Sequence, residues 1–405
     1  MTTSLFPPLA DFQLALPRQV RFGWGELNRL PDVAATLAKR VWVISGSRHL
    51  NSRGVIEEVM QQLRQRGLCC ELLTTISREP LVEDVDHVSQ MLREQTIGAG
   101  DLLLAIGGGS AIDLAKGCAA MATNRHGESV SDFLEGVGRG LKIEVPPLPI
   151  IAVPTTSGTG TEATRNGVIT SRDPLFKKSL RDHRLLPEAV ILDPELTLSL
   201  PSDITAQTGL DALTQLIESF LSNRTNPFTA ALCREGLSRA FQALPMVVRD
   251  GSDRVARTAM MYAAFLSGMA LANSGLGMAH GIAAALGVHA NIPHGLACAC
   301  LLPLAMRSNL DCRTSELAEL GLLFVGHSTG SDRDDALAGI EAIESLCQTI
   351  GIPSSLHELG IPREQLPAIA HSSPGNSLSG NPRFLTETDV FQLLSATYPR
   401  TDSWN

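Results

Sequence analysis

Asp101-Leu102-Leu103-Leu104-Ala105-Ile106-Gly107-Gly108-Gly109-Ser110 is an apolar run of strand length closed by three glycines and a serine. A short run of this kind reads as a strand buried on both faces, the situation of a parallel sheet covered by helices on each side. A helical pattern follows at once, from Ser110 to Ala122. The same alternation runs upstream: Arg40 to Ile44 a strand, Ile56 to Arg66 a helix, Cys70 to Thr75 a strand, Val82 to Glu94 a helix. Such a series implies a parallel sheet, because parallel neighbours need a crossover long enough to hold a helix. Strands are expected again at Leu148 to Val153, Asn166 to Thr170 and Ala189 to Leu192. Beyond Asp193-Pro194 the chain reads as helices separated by short Gly, Pro or Asn breaks. It therefore divides into an α/β part, residues 1–198, and an all-helical part, residues 199–405.

The length of 405 residues supports two hydrophobic cores rather than one. With 33 basic against 42 acidic residues and a formal charge of −9, nucleic acid is an unsuitable partner. The eight cysteines show no C-x-x-C spacing and read as reduced thiols of a cytoplasmic protein. Met1 to Pro17 lacks a basic segment followed by an apolar core, so no signal peptide is expected. Ala259 to Gly287 carries no Asp, Glu, Lys or Arg, long enough to raise the question of a membrane span. Its Tyr262, Ser267, Asn273, Ser274, His280 and the glycines at 268, 275, 277 and 281 favour a buried helix pair instead, with no membrane partner.

Two turns after strands are suited to an anion. Gly107-Gly108-Gly109-Ser110 opens a helix, where free backbone N–H groups and the helix dipole converge. Pro154-Thr155-Thr156-Ser157-Gly158-Thr159-Gly160-Thr161-Glu162 offers hydroxyls and amides that can hold a diphosphate and ribose. Neither matches G-x-G-x-x-G or the Walker pattern, and only the two together favour a dinucleotide site. In the second half, His280 in Gly275-Leu276-Gly277-Met278-Ala279-His280 and His294 in Asn291-Ile292-Pro293-His294-Gly295 lie in a nearly uncharged segment, downstream of Asp211. One Asp and two His converging in apolar surroundings suit a divalent metal.

These motifs, with Lys116, Leu192-Asp193-Pro194-Glu195-Leu196, Thr208 to Glu218 and Asn381-Pro382-Arg383, make the chain resemble an iron-containing (group III) alcohol dehydrogenase over nearly its whole length. The resemblance implies a Rossmann-like N-terminal domain, a helical C-terminal domain, a nicotinamide between them, one divalent metal (Fe²⁺ or Zn²⁺) and a homodimer. The implied chemistry is hydride transfer between NAD(P)H and a small alcohol or aldehyde, with Asp211 and His280 as catalytic residues. The metal ligands map onto Asp211, Gln215, His280 and His294, with Gln215 standing where the family has His. An amide oxygen is the harder, weaker donor, so affinity for Fe²⁺ or Zn²⁺ is expected to fall and tolerance for Mg²⁺ or Mn²⁺ to rise. Ala284 replaces another family His, which removes any proton relay there. The expected cofactor residues are Gly46, Ser47, Gly108, Gly109, Ser110, Asp113, Thr155, Thr156, Thr159 and Lys177. Gly46 stands where NAD-selective members carry Asp, and Ser47 with Arg48 could bind a 2′-phosphate, which points to NADP over NAD. His289 is a further imidazole near the cleft segment, equally suited to a surface role. Three other readings stay open: a metal-free reductase resembling maleylacetate reductases, a dehydroquinate-synthase-like lyase, and a non-catalytic nucleotide-binding protein. With only 2 Tyr, 3 Trp and 12 Phe, a small or polar aldehyde is the expected substrate.

Overall fold

The computed structural model describes residues 11–46, 48–328 and 330–398. The strands are β1 Gln19–Phe22, β2 Arg40–Ser45, β3 Cys69–Thr75, β4 Asp101–Gly107, β5 Ile150–Pro154, β6 Asn166–Arg172, β7 Leu175–Arg181 and β8 Ala189–Leu192. Helices of the first half are α1 Leu30–Leu37, α2 Arg48–Ser52, α3 Val55–Gln65, α4 Val82–Glu94 and α5 Gly109–Thr123. Six strands form one parallel sheet in the order β1-β8-β5-β4-β2-β3. Every residue of β4 and β5 is buried, and their alternate side chains enter opposite layers. Leu103, Ala105, Ile150 and Ala152 pack with α4 and α5; Leu102, Leu104, Ile151 and Val153 pack with α1 and α3.

From β2 the chain steps outward to β3 and then returns to the other side of β2 for β4. The carboxyl ends of β2 and β4 therefore flank a switch point, where open α/β sheets place their ligands. Gly46 and Gly107 lie there, and the Gly46 N–H donates to the Ile106 carbonyl at 2.7 Å. A Cβ on Gly46 would fall 2.7 Å from Ala111 Cβ and 3.0 Å from the Gly107 Cα. Glycine at 46 is thus required by close backbone approach.

The strand at Asn166 does not join the parallel sheet; β6 pairs antiparallel with β7 as a separate hairpin. The signal for β7 was obscured because Leu175-Phe176-Lys177-Lys178-Ser179-Leu180-Arg181 is too charged to resemble a core strand. Edge strand β1 was likewise unread, three of its four residues being exposed.

The second half comprises α6 Ser202–Leu221, α7 Pro227–Arg249, α8 Arg254–Ser274, α9 Met278–Ala290, α10 His294–Ser308, α11 Thr314–Val325, α12 Asp332–Thr349, α13 Leu366–Ser372 and α14 Glu387–Ser395. Leu213, Leu216, Ile217 and Phe220 of α6 anchor its largest core with α7, α8 and α10. Helix α8 is long and apolar enough to cross a membrane, but two thirds of its most apolar window is buried within the protein. The halves meet where Met261 and Phe265 of α8 pack on Ala163, Val190 and Leu192.

Candidate active site and metal centre

Helix α6 carries Asp211, Gln215 and Glu218 at i, i+4 and i+7, all buried on one stripe. Glu218 accepts the N–H groups of Gly277 at 3.0 Å and Ala279 at 2.6 Å, which are unpaired at the start of α9. His280 Nδ1 lies 2.7 Å from the same carboxylate, an acceptor that favours a proton on that nitrogen, and its Nε2 is turned toward Asp211 Oδ1, 3.2 Å away. His294, first residue of α10, brings its Nε2 to 3.9 Å from the same oxygen. Cys298, one turn further on, places Sγ 3.7 Å from His294 Nε2. One donor atom each from Asp211, His280, His294 and Cys298 lies within 4.8 Å of all the others.

Burial acts to raise the Asp211 carboxyl, but the His280 hydrogen bond and the charges of both imidazoles outweigh it and hold the carboxyl below its usual range. Loss of solvation pushes His294 down to about 4, with Lys177 and His280 contributing against the pull of Asp211. An ionised carboxylate and a neutral imidazole are what a divalent cation binds. His294 Nδ1 is buried without a hydrogen-bond partner, so neither neighbour fixes that ring as Glu218 fixes His280. The donor types, their spacing and the carboxylate behind His280 fit a divalent metal. Glu218→Gln is expected to weaken metal binding by about 10–100-fold, measured by calorimetric titration of the chelator-stripped protein. An unchanged affinity would show that Glu218 serves only the helix end.

Gln215, expected as a metal ligand, lines the cleft with Asp211, and its amide is hydrogen-bonded at both ends. Its Nε2 donates to the Thr159 carbonyl at 3.2 Å and its Oε1 accepts from Ser267 Oγ at 2.7 Å. The carbonyl of Thr159 can only face an N–H, so the amide cannot be reversed without losing that bond. The amide also hydrogen-bonds Asp211, helping to hold the carboxylate ionised.

Across a cleft of about 400 Å³ from this cluster lie Gly109, Ser110, Asp113, Thr159 and Lys177. The two glycine-bearing turns meet as expected: a Cβ on Gly109 would fall 2.8 Å from Thr159 Oγ1, and one on Gly108 would be 3.3 Å from Thr156 Cγ2. Thr155 donates its N–H to the Gly107 carbonyl at 3.0 Å, a framework bond. Of the expected cofactor residues, Gly109, Ser110, Asp113, Thr159 and Lys177 line the cleft, whereas Gly46, Gly108, Thr155 and Thr156 are not among its lining residues. Ser47 lies outside the described residues, as does the Arg48 side chain. Asp113 presents a buried Oδ1 with no hydrogen-bond partner, and burial raises its carboxyl to about 7. Lys177 is ion-paired with Glu79 at the cleft edge. A groove that glycines keep open beside an unpartnered carboxylate oxygen fits a nucleotide.

The Thr loop is pinned against the helical half. Gly160, with φ of 61°, sits backbone to backbone on Gly268 of α8, where a Cβ would lie 2.1 Å from the Gly160 carbonyl oxygen. Gly268→Ala is expected to cost about 1–3 kcal/mol by overpacking and to raise KM for the cofactor by displacing Thr159. Thermal denaturation and cofactor titration check the two effects.

Sequence reasoning missed Glu218 as a partner of His280 and Cys298 as a member of the cluster. Both carried a usable signal, since Glu218 lies two turns from Asp211 and Cys298 one turn from His294. Ser372 to Pro382, read as a plain loop, contributes Ser372 to Ser377 to the cleft wall. Ala284 lines the cleft, and His289 bonds Ser372 Oγ through Nε2 at 2.7 Å.

A glycine-lined turn at a sheet switch point, sharing one cleft with a cluster of metal-donor side chains, is the layout of a metal-assisted oxidoreductase. Residues 17–194 match the family described as iron-containing alcohol dehydrogenase, and residues 205–398 match the Fe-containing alcohol dehydrogenase family, C-terminal. Alcohol dehydrogenase 4 of Saccharomyces cerevisiae is 33% identical over 380 residues, 93% of this chain and 96% of that protein. The NADPH-dependent butanol dehydrogenase of Clostridium saccharobutylicum is 30% identical over 96% of this chain and 99% of its own length. The crystal structure of a 1,3-propanediol oxidoreductase superposes with a TM-score of 0.89 at 30% identity, covering 96% of this chain and all of that one. The chain belongs to the iron-containing alcohol dehydrogenase family. It is an oxidoreductase, and membership implies NAD(P) and a divalent metal.

Proposed function

We propose that this protein is an alcohol dehydrogenase working as an aldehyde reductase on small or polar substrates, with NADPH as cofactor and a divalent metal held by Asp211, His280 and His294. The observation that carries this reading is the single cleft joining the Gly109 end of α5 to the Asp211–His280–His294 cluster. When bound, the nicotinamide supplies hydride chemistry and the cation polarises the substrate oxygen.

The chain's own residues do the positioning. The N–H groups at Gly109 and Ser110 hold the diphosphate at the start of α5, and Asp113 Oδ1 and Lys177 take the ribose hydroxyls. Thr155, Thr156 and Thr159 shape the nicotinamide side. Glu218 keeps the His280 Nδ1 proton in place, leaving Nε2 for the cation. Leu271, Leu276 and Ala284 give part of the cleft an apolar wall, and no aromatic side chain lines it among the described residues, which supports a small substrate. Glycine at 46 supports NADPH, because the site lacks the carboxylate that would repel a 2′-phosphate.

Stoichiometric consumption of NADPH against a panel of aldehydes tests the reading. A dehydrogenase oxidises one NADPH per aldehyde reduced, a lyase consumes none, and a binding protein gives only a fluorescence change. A kcat/KM favouring NADH would overturn the cofactor preference while leaving the reaction intact.

A further inference from the structure

Resting on the metal reading above, we infer that Cys298 supplies a thiolate as the fourth ligand, making an Asp-His-His-Cys site in place of one completed by residue 215. The oxygen of Gln215 is held by Ser267 and its N–H group by Thr159, so neither is presented as a metal donor. The Cys298 sulfur is fully buried and lies among the other three donors. It approaches His294 Nε2 at 3.7 Å and lies within 4.8 Å of the His280 donor nitrogen.

Tetrahedral coordination with metal–sulfur bonds of about 2.3 Å and metal–nitrogen bonds of about 2.0–2.1 Å requires donor–donor edges of about 3.3–3.6 Å. The spacings of 3.2 Å for His280 to Asp211, 3.7 Å for Cys298 to His294 and 3.9 Å for His294 to Asp211 approach that range, and all the donor pairs lie within 4.8 Å. Asp211 and Cys298 sit on different helices and each lies next to both imidazoles, which closes the set around one point.

A thiolate changes the selectivity expected from the sequence. Soft sulfur favours Zn²⁺ and Co²⁺ and gains little from Mg²⁺ or Mn²⁺, opposite to the drift a Gln oxygen would cause. Thiolate and carboxylate together neutralise the dication, as the two thiolates do in the zinc site of Cys₂His alcohol dehydrogenases. With four protein donors in place, a substrate oxygen would be a fifth donor to the ion.

The test uses the full chain, stripped with a chelator and loaded with Co²⁺. A thiolate-to-cobalt charge-transfer band in the near ultraviolet is expected in the wild-type protein and absent in Cys298→Ser. In calorimetric titrations, Cys298→Ser is expected to weaken Zn²⁺ by about 100-fold or more while leaving Mn²⁺ nearly unchanged. One equivalent of bound Co²⁺ without the band overturns the thiolate ligand alone, as does equal Zn²⁺ affinity in a folded variant. No bound Co²⁺ at all overturns the metal reading with it. The wild-type spectrum carries the test even where the variant does not fold.

Discussion

His280→Ala is expected to lower kcat/KM for aldehyde reduction by about 10³-fold or more, since the charge stabilisation lost amounts to several kcal/mol, and to leave the purified protein with little metal. The imidazole is buried, bridges Glu218 and Asp211 with its two nitrogens, and lies at the centre of the donor cluster. Removing it takes away a nitrogen donor and leaves the Asp211 carboxylate buried with one fewer partner. The start of α9 survives, because Glu218 still accepts the Gly277 and Ala279 amides. The loss should therefore appear in turnover and metal content, with a smaller change in the melting curve. Retention of a full equivalent of metal with less than a tenfold change in rate would remove His280 from the site.

The second large effect is on stability. Lys116 is fully buried in α5, and its Nζ donates to the carbonyls of Thr161 and Thr164 at 2.7 Å each, to Thr164 Oγ1 at 2.9 Å and to the Asn166 carbonyl at 2.9 Å. Burial lowers the ammonium to about 8, with Asp113 and Glu162 opposing that shift. Lys116→Met keeps the aliphatic volume and deletes every one of these bonds. Three backbone carbonyls lose a donor inside the protein, and the expected cost is about 3–5 kcal/mol. For a chain of this size that is a drop of roughly 4–6 °C in Tm, measurable by differential scanning calorimetry. Because those carbonyls belong to the segment following Thr159, KM for the nucleotide should rise in the same variant. A Tm within about 2 °C of wild type would mean that water replaces the ammonium without penalty.

The parallel sheet was readable because its central strands are buried on both faces, leaving unbroken apolar runs at Val41 to Ile44 and Leu102 to Ile106. Nothing comparable marks Gln19–Phe22, half exposed at the sheet edge, or the charged Leu175–Arg181 strand, whose partner is a hairpin neighbour outside the sheet. In the site, residue identity conveyed which groups exist but not where their atoms point. Asp211, His280 and His294 converge because α6, α9 and α10 pack together, whereas the orientation of Gln215 depends on Ser267 and Thr159, which are distant in sequence. Helical spacing would have brought Glu218 and Cys298 forward had every polar or sulfur-bearing residue on those two stripes been followed to its end.

The carboxylate of Glu218 couples two events that most proteins keep separate, the start of a helix and the choice of which ring nitrogen carries a proton. In the other tautomer the ring would turn a lone pair toward the very carboxylate that the Gly277 and Ala279 amides use. Amide exchange at residues 277 and 279 therefore reports where that carboxylate sits, and through it how the ring behind the donor cluster is held.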